Sequence, residues 1–269
     1  MSRLHLHILG SGSKGNCALI EGPQGLIMVD DGLSRRETLK RMAELGLSAD
    51  DVSALVVTHE HSDHIKGLEV WCNHWNGPVF SSRGTLASKE SLAHLSVEEF
   101  DPGDALSIAG VHIQTYSTSH DVVNPVGYRF DAQGDSVGFA TDTGELSKHA
   151  IDTLRDCRIL ALESNHDVAM LRQGDYPHFL QERILSAKGH LSNDQAADAA
   201  RALVTDRTEH LIAMHISQDN NRPSLTVKSY ASSLGATLDN ELGSNATRVE
   251  GLYKLTIRPA GQYRPMTIQ

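Results

Sequence analysis

One short segment constrains this chain more than any other: an apolar, strand-like run that leads directly into three histidines and an aspartate. The run 55–58 reads Leu-Val-Val-Thr, and the next residues continue the chain as His-Glu-His-Ser-Asp-His. Residues two apart in an extended chain point to the same side, so His59 and His61 share one side. Asp63 and His64 open the next helix and face a neighbouring volume. The spacing predicts that one segment supplies ligands to two adjacent divalent metal ions.

Three further ligand candidates share one placement, because each follows the end of an apolar run. Loops at the carboxyl ends of strands meet at one edge of a sheet, where ligand sites form in α/β proteins. We therefore expect these side chains to join the first segment in one cluster. They are His120, Asp142 and His215.

The chemistry of these seven candidates predicts a hydrolytic site with two metal ions. Nitrogen and oxygen ligands without a thiolate suit Zn²⁺, Mn²⁺ or Fe²⁺ and leave the identity of the metal open. Two ions about 3.5–4 Å apart can clamp the attacked and the leaving oxygens of a phosphoryl group. The expected ligands are His59, His61 and His120 for one ion, Asp63, His64 and His215 for the other, and Asp142 as the bridge.

Composition narrows the class of protein. The 269 residues are 39% hydrophobic, enough to fill the core of one compact domain over 1–269. A formal charge of −10 excludes a polycationic binder. Apolar runs are too short to span a membrane, and no secretory signal is recognisable, so we expect a cytoplasmic protein. Three cysteines without a close pair are expected to be free, buried residues.

Strand-like and helical segments alternate along the chain, which predicts an α/β or α+β fold with helices covering two stacked sheets. Strands are predicted at Leu4–Leu9, Ala18–Glu21, Leu26–Val29, Ala54–Thr58, Val79–Ser81, Val111–Tyr116, Val126–Phe130, Ser136–Ala140, Arg158–Leu162 and His210–Met214. Helices are predicted at Ser34–Leu45, Asp63–Trp75, Thr85–Leu95, Tyr176–Ser186 and Asn193–Val204.

These motifs resemble those of the metallo-β-lactamase superfamily, whose His-x-His-x-Asp-His signature matches residues 59–64. The segment Val-Asp-Asp-Gly at 29–32 resembles its first motif, in which the first aspartate, here Asp30, orients the metal loop. The resemblance implies a four-layer αββα sandwich of two mixed sheets flanked by helices. Asp142 resembles the phosphodiesterase and nuclease branches, because the antibiotic-hydrolysing enzymes commonly have a cysteine there.

More closely, the chain is similar to the YycJ/WalJ group of bacterial proteins over roughly its first 225 residues. The resemblance implies exonuclease activity on DNA in the 5′ to 3′ direction. It is carried by six segments in the same order, at 9–16, 58–67, 119–128, 163–167, 189–193 and 214–223.

Several residues outside the ligand set are candidates for substrate contacts and catalysis. The loop 10–16 joins two strands and offers Ser13, Lys14 and Asn16 to a phosphate. His190 precedes the helix that begins near Asn193, where an anion is favoured. We expect His190 to contact the scissile phosphate or protonate the leaving oxygen, as the analogous motif does in tRNA-processing relatives.

Three side chains complete the predicted site. Asp63 is expected to orient the nucleophile in addition to binding metal. Glu163 and His166 follow a strand and are expected to support a ligand or contact the substrate, and His166 is assigned to substrate binding.

Two other functions stay open. The acidic charge favours a metallohydrolase for a small substrate, such as a cyclic phosphodiester or a thioester. The second open function is that of a non-catalytic, metal-stabilised interaction protein, and the complete ligand set argues against it. Oxygen chemistry at a di-iron centre needs a flavin partner or a thiol substrate, for which the sequence has no motif. The sequence leaves oligomeric state and cleavage polarity open.

Overall fold

A computed structural model describes residues 3–269 of the chain. Residues 1 and 2 lie outside the described residues; they begin the amino-terminal segment in which no secretory signal is predicted. The strands are β1 (His5–Gly10), β2 (Cys17–Gly22), β3 (Gly25–Val29), β4 (Val52–Val57), β5 (Val79–Ser82), β6 (Val97–Phe100), β7 (Ala105–Ile108), β8 (Val111–Ser117), β9 (Val126–Ala132), β10 (Asp135–Ala140), β11 (Ile159–Glu163), β12 (His210–Met214), β13 (Thr237–Leu238), β14 (Ala246–Glu250), β15 (Tyr253–Pro259) and β16 (Met266–Ile268). The helices are α1 (Arg35–Glu44), α2 (Ser62–Ile65), α3 (Leu68–Cys72), α4 (Lys148–Leu154), α5 (Val168–Gln173), α6 (His178–Leu185), α7 (Asn193–Leu203) and α8 (Pro223–Leu234).

The chain divides into two compact units, and the first comprises residues 1–117, 122–136 and 261–269. Its seven-stranded sheet has the order β16-β1-β2-β3-β4-β5-β6. The strands from β16 to β3 pair antiparallel, and those from β3 to β6 pair parallel. One core contains Leu19, Met28, Leu55 and Trp71, all nearly inaccessible to solvent. Parallel strands buried on both faces are continuous apolar runs, which explains the run that precedes the histidines.

The second unit comprises residues 118–121 and 137–260. Strands β10, β11, β12 and β15 pair parallel, and β14 and β13 continue antiparallel. Helix α7 begins at a capping box, because the Ser192 side chain accepts from the amide of Gln195 while the Gln195 side chain accepts from the amide of Ser192. The same helix buries Ala196, Ala200 and Leu203. The two alanines are small and allow the helix to pack closely on its neighbours.

The predicted fold class is confirmed, since the chain has two mixed sheets with flanking helices. Each of the ten predicted strands is present, and no bound differs by more than two residues. The helix predicted over Asp63–Trp75 is interrupted: it forms as α2 and α3, separated at Gly67. A Cβ at Gly67 would lie 1.9 Å from the carbonyl oxygen of Leu33, so the backbone approaches too closely for a side chain.

The helix predicted over Thr85–Leu95 is wrong, because only a short 3₁₀ turn at Leu86–Ser88 forms there. Leu86 and Leu92 are buried in the core and Leu95 packs against it. Leu92 and Leu95, three positions apart, have the spacing of a helical face. The segment 85–91 contains mainly Thr, Ser and Lys beside Leu and Ala. Leu86 and Leu92 can thus be buried from a segment of turns, and no helix is needed to bury them.

Other expectations have mixed outcomes. Within residues 3–269, Cys17, Cys72 and Cys157 form no disulfide, and Cys72 is only partly buried. Among residues 3–269, no helix is both long and apolar enough to cross a membrane. A single domain over 1–269 stays a prediction, since each unit has its own internal contacts.

Candidate metal centre

Several residues of the predicted site follow strand ends with a left-handed backbone. Asp30, Asp142 and His215 have φ angles of 59°, 54° and 51° and follow β3, β10 and β12. Residues other than glycine rarely adopt this conformation, which costs of order 1 kcal/mol and recurs at functional sites. The strained turns direct these side chains away from the strand axis at the carboxyl edge of each sheet.

The first unit holds four of the predicted ligands in one segment. The centroid of the His59 ring lies 4.8 Å from that of the His61 ring and 4.1 Å from that of the His64 ring. His59 and His64 are buried, whereas the Asp63 side chain is 21% exposed. Three imidazoles and a carboxylate are thus gathered in the segment that runs from the end of β4 into helix α2.

A carboxylate beneath this segment fixes the orientation of His64. The Nδ1 of His64 donates to Oδ2 of Asp30 over 2.7 Å, which leaves Nε2 as the nitrogen with a lone pair. Asp30 also accepts from the backbone amide and the hydroxyl of Thr58, both over 2.8 Å. Metal-binding histidines are commonly oriented by such a carboxylate. The expected orienting role of Asp30 agrees with these contacts.

Asn16 is buried, and its amide group contacts two predicted ligands. Its Nδ2 donates to Oδ2 of Asp63 over 3.1 Å and to Nε2 of His64 over 3.0 Å, and its backbone amide donates to the carbonyl of Asp63. These contacts make Asn16 a positioning residue, while contact with substrate stays a prediction. Ser13 and Lys14 are exposed at the tip of the same loop.

The second unit gathers Asp142, Glu163, His190 and His215, whose candidate ligand atoms lie within 4.8 Å of one another. Glu163 is fully buried at the end of β11. Its Oε1 accepts from Nδ1 of His190 over 2.8 Å and from Nδ1 of His215 over 3.0 Å. Its Oε2 accepts from the backbone amides of Thr143 and Leu191. One carboxylate therefore organises both histidines.

The charge of Glu163 follows from these contacts. Burial alone would raise the pKa of Glu163, but the neighbouring His190 and the hydrogen bonds from His190 and His215 lower that pKa below its usual value. Glu163 is consequently an ionised acceptor at neutral pH. An ionised carboxylate holds each imidazole by Nδ1 and leaves Nε2 of each ring for a ligand or a substrate.

His120 is oriented in the same way, by a carbonyl group. Its Nδ1 donates to the carbonyl oxygen of Gly189 over 3.1 Å, and its Nε2 lies 3.8 Å from Oδ1 of Asp142. Oδ1 of Asp142 also lies 3.4 Å from Nδ1 of His215. The structure thus brings together all three ligands predicted after strand ends.

A buried polar network joins three of the sequence motifs behind this group. Asn221 Nδ2 donates to the carbonyls of Ser164 and Asn165 and to Oδ1 of Asn193. The hydroxyl of Ser164 donates to the same oxygen of Asn193. The motifs at 163–167, 189–193 and 214–223 therefore serve largely to position one another.

His166 belongs to the first of these motifs and is inaccessible to solvent. Within residues 3–269, neither of its ring nitrogens has a hydrogen-bond partner. Burial lowers the pKa of His166 to about 4, so the ring is neutral at pH 7. Its assignment to substrate binding stays a prediction.

Comparisons with known proteins identify the family. The family profile described as "Beta-lactamase superfamily domain" matches residues 26–216. Exodeoxyribonuclease YycJ of Bacillus anthracis is 36% identical over 226 residues, 82% of this chain and 86% of that protein. Exodeoxyribonuclease WalJ of Streptococcus pneumoniae serotype 2 is 34% identical over 220 residues, 80% of this chain and 82% of that protein.

Among solved structures, the metallo-β-lactamase-fold protein YhfI of Bacillus subtilis has a TM-score of 0.69 at 14% identity. The match covers 98% of this chain and 100% of that one, and it concerns the fold alone. The chain belongs to the metallo-β-lactamase superfamily and is a metal-dependent hydrolase, as the sequence predicts. Within that superfamily it groups with YycJ and WalJ, which confirms the closer resemblance.

The donor set fits a divalent metal ion. Histidine Nε2 atoms and carboxylate oxygens are present in each unit, and cysteine is absent from both ligand groups among the described residues. Such donors suit Zn²⁺, Mn²⁺ and Fe²⁺ alike. The candidate ligands are predicted by residue type and spacing, and metal binding at them stays a prediction. Thr58, Gly189 and Asn221 lie within the motif segments, but their supporting contacts depend on hydrogen bonds over long sequence separations, which the sequence does not show.

Proposed function

We propose that this chain is an exodeoxyribonuclease that degrades DNA in the 5′ to 3′ direction with two divalent metal ions. The observation that carries the proposal is the similarity to two exodeoxyribonucleases over four fifths of the chain, together with an unbroken ligand set. The seven ligands are those that the sequence predicts. The metal identity and a cytoplasmic location stay open as predictions.

The metals supply the electrophilic part of the chemistry: bound divalent ions neutralise charge on a phosphoryl group and lower the pKa of a coordinated water. The protein residues orient the ligands. His64, His120 and His215 each donate Nδ1–H to an oxygen, so Nε2 carries the lone pair that a metal requires.

His190 is proposed to protonate the leaving oxygen. Its side chain is 18% exposed, whereas Glu163 behind it is fully buried. Donation from Nδ1 to Glu163 stabilises the protonated imidazole, and Nε2–H is then the proton available to an alkoxide that leaves phosphorus. Glu163 acts through His190 and is a positioning residue.

Asp63 is proposed to orient the attacking water, and the exposed loop is proposed to bind a phosphate. The amide of Asn16 holds Oδ2 of Asp63, which fixes the carboxylate while leaving part of it exposed. The ammonium of Lys14 and the hydroxyl of Ser13 are exposed on that loop. A cation and a hydroxyl beside backbone amides suit a phosphate group.

The net charge favours a second candidate, a hydrolase for small phosphodiesters. At −10, the chain lacks the basic excess that supplies nonspecific affinity for DNA. A cyclic phosphodiester needs no extended basic surface, so the same ligands could serve it.

The test compares DNA labelled at the 5′ or the 3′ end, RNA and bis(p-nitrophenyl) phosphate, each with Mn²⁺ or Zn²⁺. We expect nucleotides to be released from the 5′ end of DNA. His59→Ala and Asp142→Asn should reduce DNA cleavage at least about 1,000-fold, whereas His94→Ala, at an exposed position, should retain it. Turnover of the small ester with every polymer intact would reject the nuclease and support the second candidate.

A further inference from the structure

Another group of side chains that could bind a metal lies on strands β1 and β2. His5 and His7 are two residues apart on β1 and share one face, and Glu21 on β2 is paired in register with His5. None of the three belongs to the predicted catalytic site.

The three side chains converge on one point. Nδ1 of His5 lies 2.9 Å from Oε2 of Glu21, and Nε2 of His7 lies 3.1 Å from the same oxygen. The candidate ligand atoms are all within 4.8 Å of one another. Donors about 2.0–2.1 Å from a tetrahedral zinc ion are about 3.3 Å apart. The observed spacings are therefore close to those of a coordinated ion.

A third strand supports the orientation of His7. Its Nδ1 lies 2.9 Å from the hydroxyl oxygen of Thr267 on β16, the residue paired with His7 in register. In the metal-bound tautomer of His7, the hydroxyl oxygen of Thr267 can accept a hydrogen bond from Nδ1–H, which leaves the Nε2 lone pair for the ion. Metal-binding histidines commonly have a hydrogen-bond partner of this kind on the second nitrogen.

Exposure leaves this position accessible. The His7 side chain is 4% exposed, whereas His5 is 30% and Glu21 43% exposed. A buried ligand gives the site rigidity, and the open side admits a water molecule as the fourth ligand. Two imidazoles and one carboxylate favour zinc or a similar transition metal over Mg²⁺ or Ca²⁺, which prefer oxygen ligands.

We propose that His5, His7 and Glu21 form a second, structural zinc site that links β1 to β2 and, through Thr267, to β16. When zinc binds, the ring proton of each neutral imidazole moves to its other nitrogen, from Nδ1 to Nε2 in His5 and from Nε2 to Nδ1 in His7, so no proton is released from either ring. The edge strand β16 is thereby anchored to the two strands next to it in the first unit's sheet.

The decisive experiment is diffraction from full-length protein crystallised with Zn²⁺, recorded on both sides of the zinc absorption edge. We expect an anomalous peak about 2.0–2.2 Å from His5 Nδ1, His7 Nε2 and the Glu21 carboxylate. Absence of that peak, in crystals with zinc bound at His59 and His61, overturns the proposal.

Zinc content in solution is the second measurement. Glu21→Gln should bind one zinc equivalent fewer than the unaltered protein, with unchanged DNA cleavage, and His94→Ala should bind as much as the unaltered protein. Thr267→Val keeps all three ligands and should weaken binding about 10- to 100-fold. Equal zinc content and affinity in all four proteins contradict the site, whether or not the chain proves to be a nuclease.

Discussion

At the scale of single residues, Glu163 is the side chain on which the second ligand group depends. Its two oxygens accept from two imidazoles and two backbone amides. Glu163→Gln keeps the shape but places an NH₂ group against one pair of donors. We expect kcat for DNA to fall about 10- to 100-fold, with weaker metal binding measured by titration.

The matched control for that change is Glu182→Gln, because Glu182 is half-exposed on α6. It should leave both kcat and metal affinity as they are. If Glu163→Gln also retains both, the carboxylate has no positioning role and the proposed path of proton donation through His190 fails.

The candidate ligands have a sequence signature that the residues supporting them lack, for a physical reason. His59, His61 and Asp63 are visible because metal coordination requires particular side chains at short spacings. Asn16 has no such signature. Its loop predicts a phosphate contact, but the fold brings Asp63, which is 47 positions away, against the same amide. Which acceptor an amide finds is decided by tertiary packing.

His166 gives stability a dependence on pH. Its pKa is about 4 in the folded chain and near 6.5 when unfolded, so the unfolded state binds the additional proton between these values. The contribution of the neutral His166 ring to the free energy of unfolding is fully present above pH 6.5. It is lost as the pH falls through 4. The loss is about 3 kcal/mol at most.

Urea unfolding from pH 4 to 7.5 measures this effect. His166→Leu removes the titrating group, so the stability of the variant should fall less steeply below pH 6.5 than that of the unaltered protein. Curves of equal slope would show that His166 is protonated equally readily in both states.

At the scale of elements, three loops meet where the metal ligands are presented. The amide of Gly32 donates to the carbonyl of Asn16, whose own amide donates to the carbonyl of Asp63. A Cβ at Gly32 would lie 1.6 Å from that Asp63 oxygen. Gly32→Ala should therefore displace the ligand segment and cost about 3 kcal/mol of stability, measured by urea unfolding.

Gly261→Ala is the matched control, because the nearest atom to its Cβ would be 3.9 Å away. It should unfold at nearly the same urea concentration as the unaltered protein. Gly32→Ala should also bind less metal, and a variant with normal stability and metal content would contradict this description of the junction.

Strands were more predictable than helices at this scale. Buried parallel strands such as β4 and β12 are mostly apolar runs of six and five residues, which are too short for a typical helix. Helical spacing is less specific. The segment Thr85–Leu95 has leucines at suitable spacing, but a loop with two buried anchors satisfies them equally well.

At the scale of the whole molecule, the charge of −10 limits how DNA can be bound. A protein that neutralises 6–10 phosphates loses about 10³- to 10⁵-fold in affinity between 50 and 200 mM salt. A chain with 24 basic and 34 acidic residues is expected to rely on metal ions and a few loop cations instead. The carboxyl-terminal segment adds β14 and β15 to the second unit.

We therefore expect a shallow dependence of DNA binding on salt, measured with single-stranded DNA and a cleavage-deficient Asp142→Asn protein. Adding Lys14→Gln should reduce the slope of log K against log salt by about 0.7, the share of one phosphate contact on a single strand. Lys148→Gln, at a 91% exposed position on α4, should leave the slope unchanged. A steep slope that persists without Lys14 would mean that a concentrated basic surface, rather than the loop at 10–16, holds the DNA backbone.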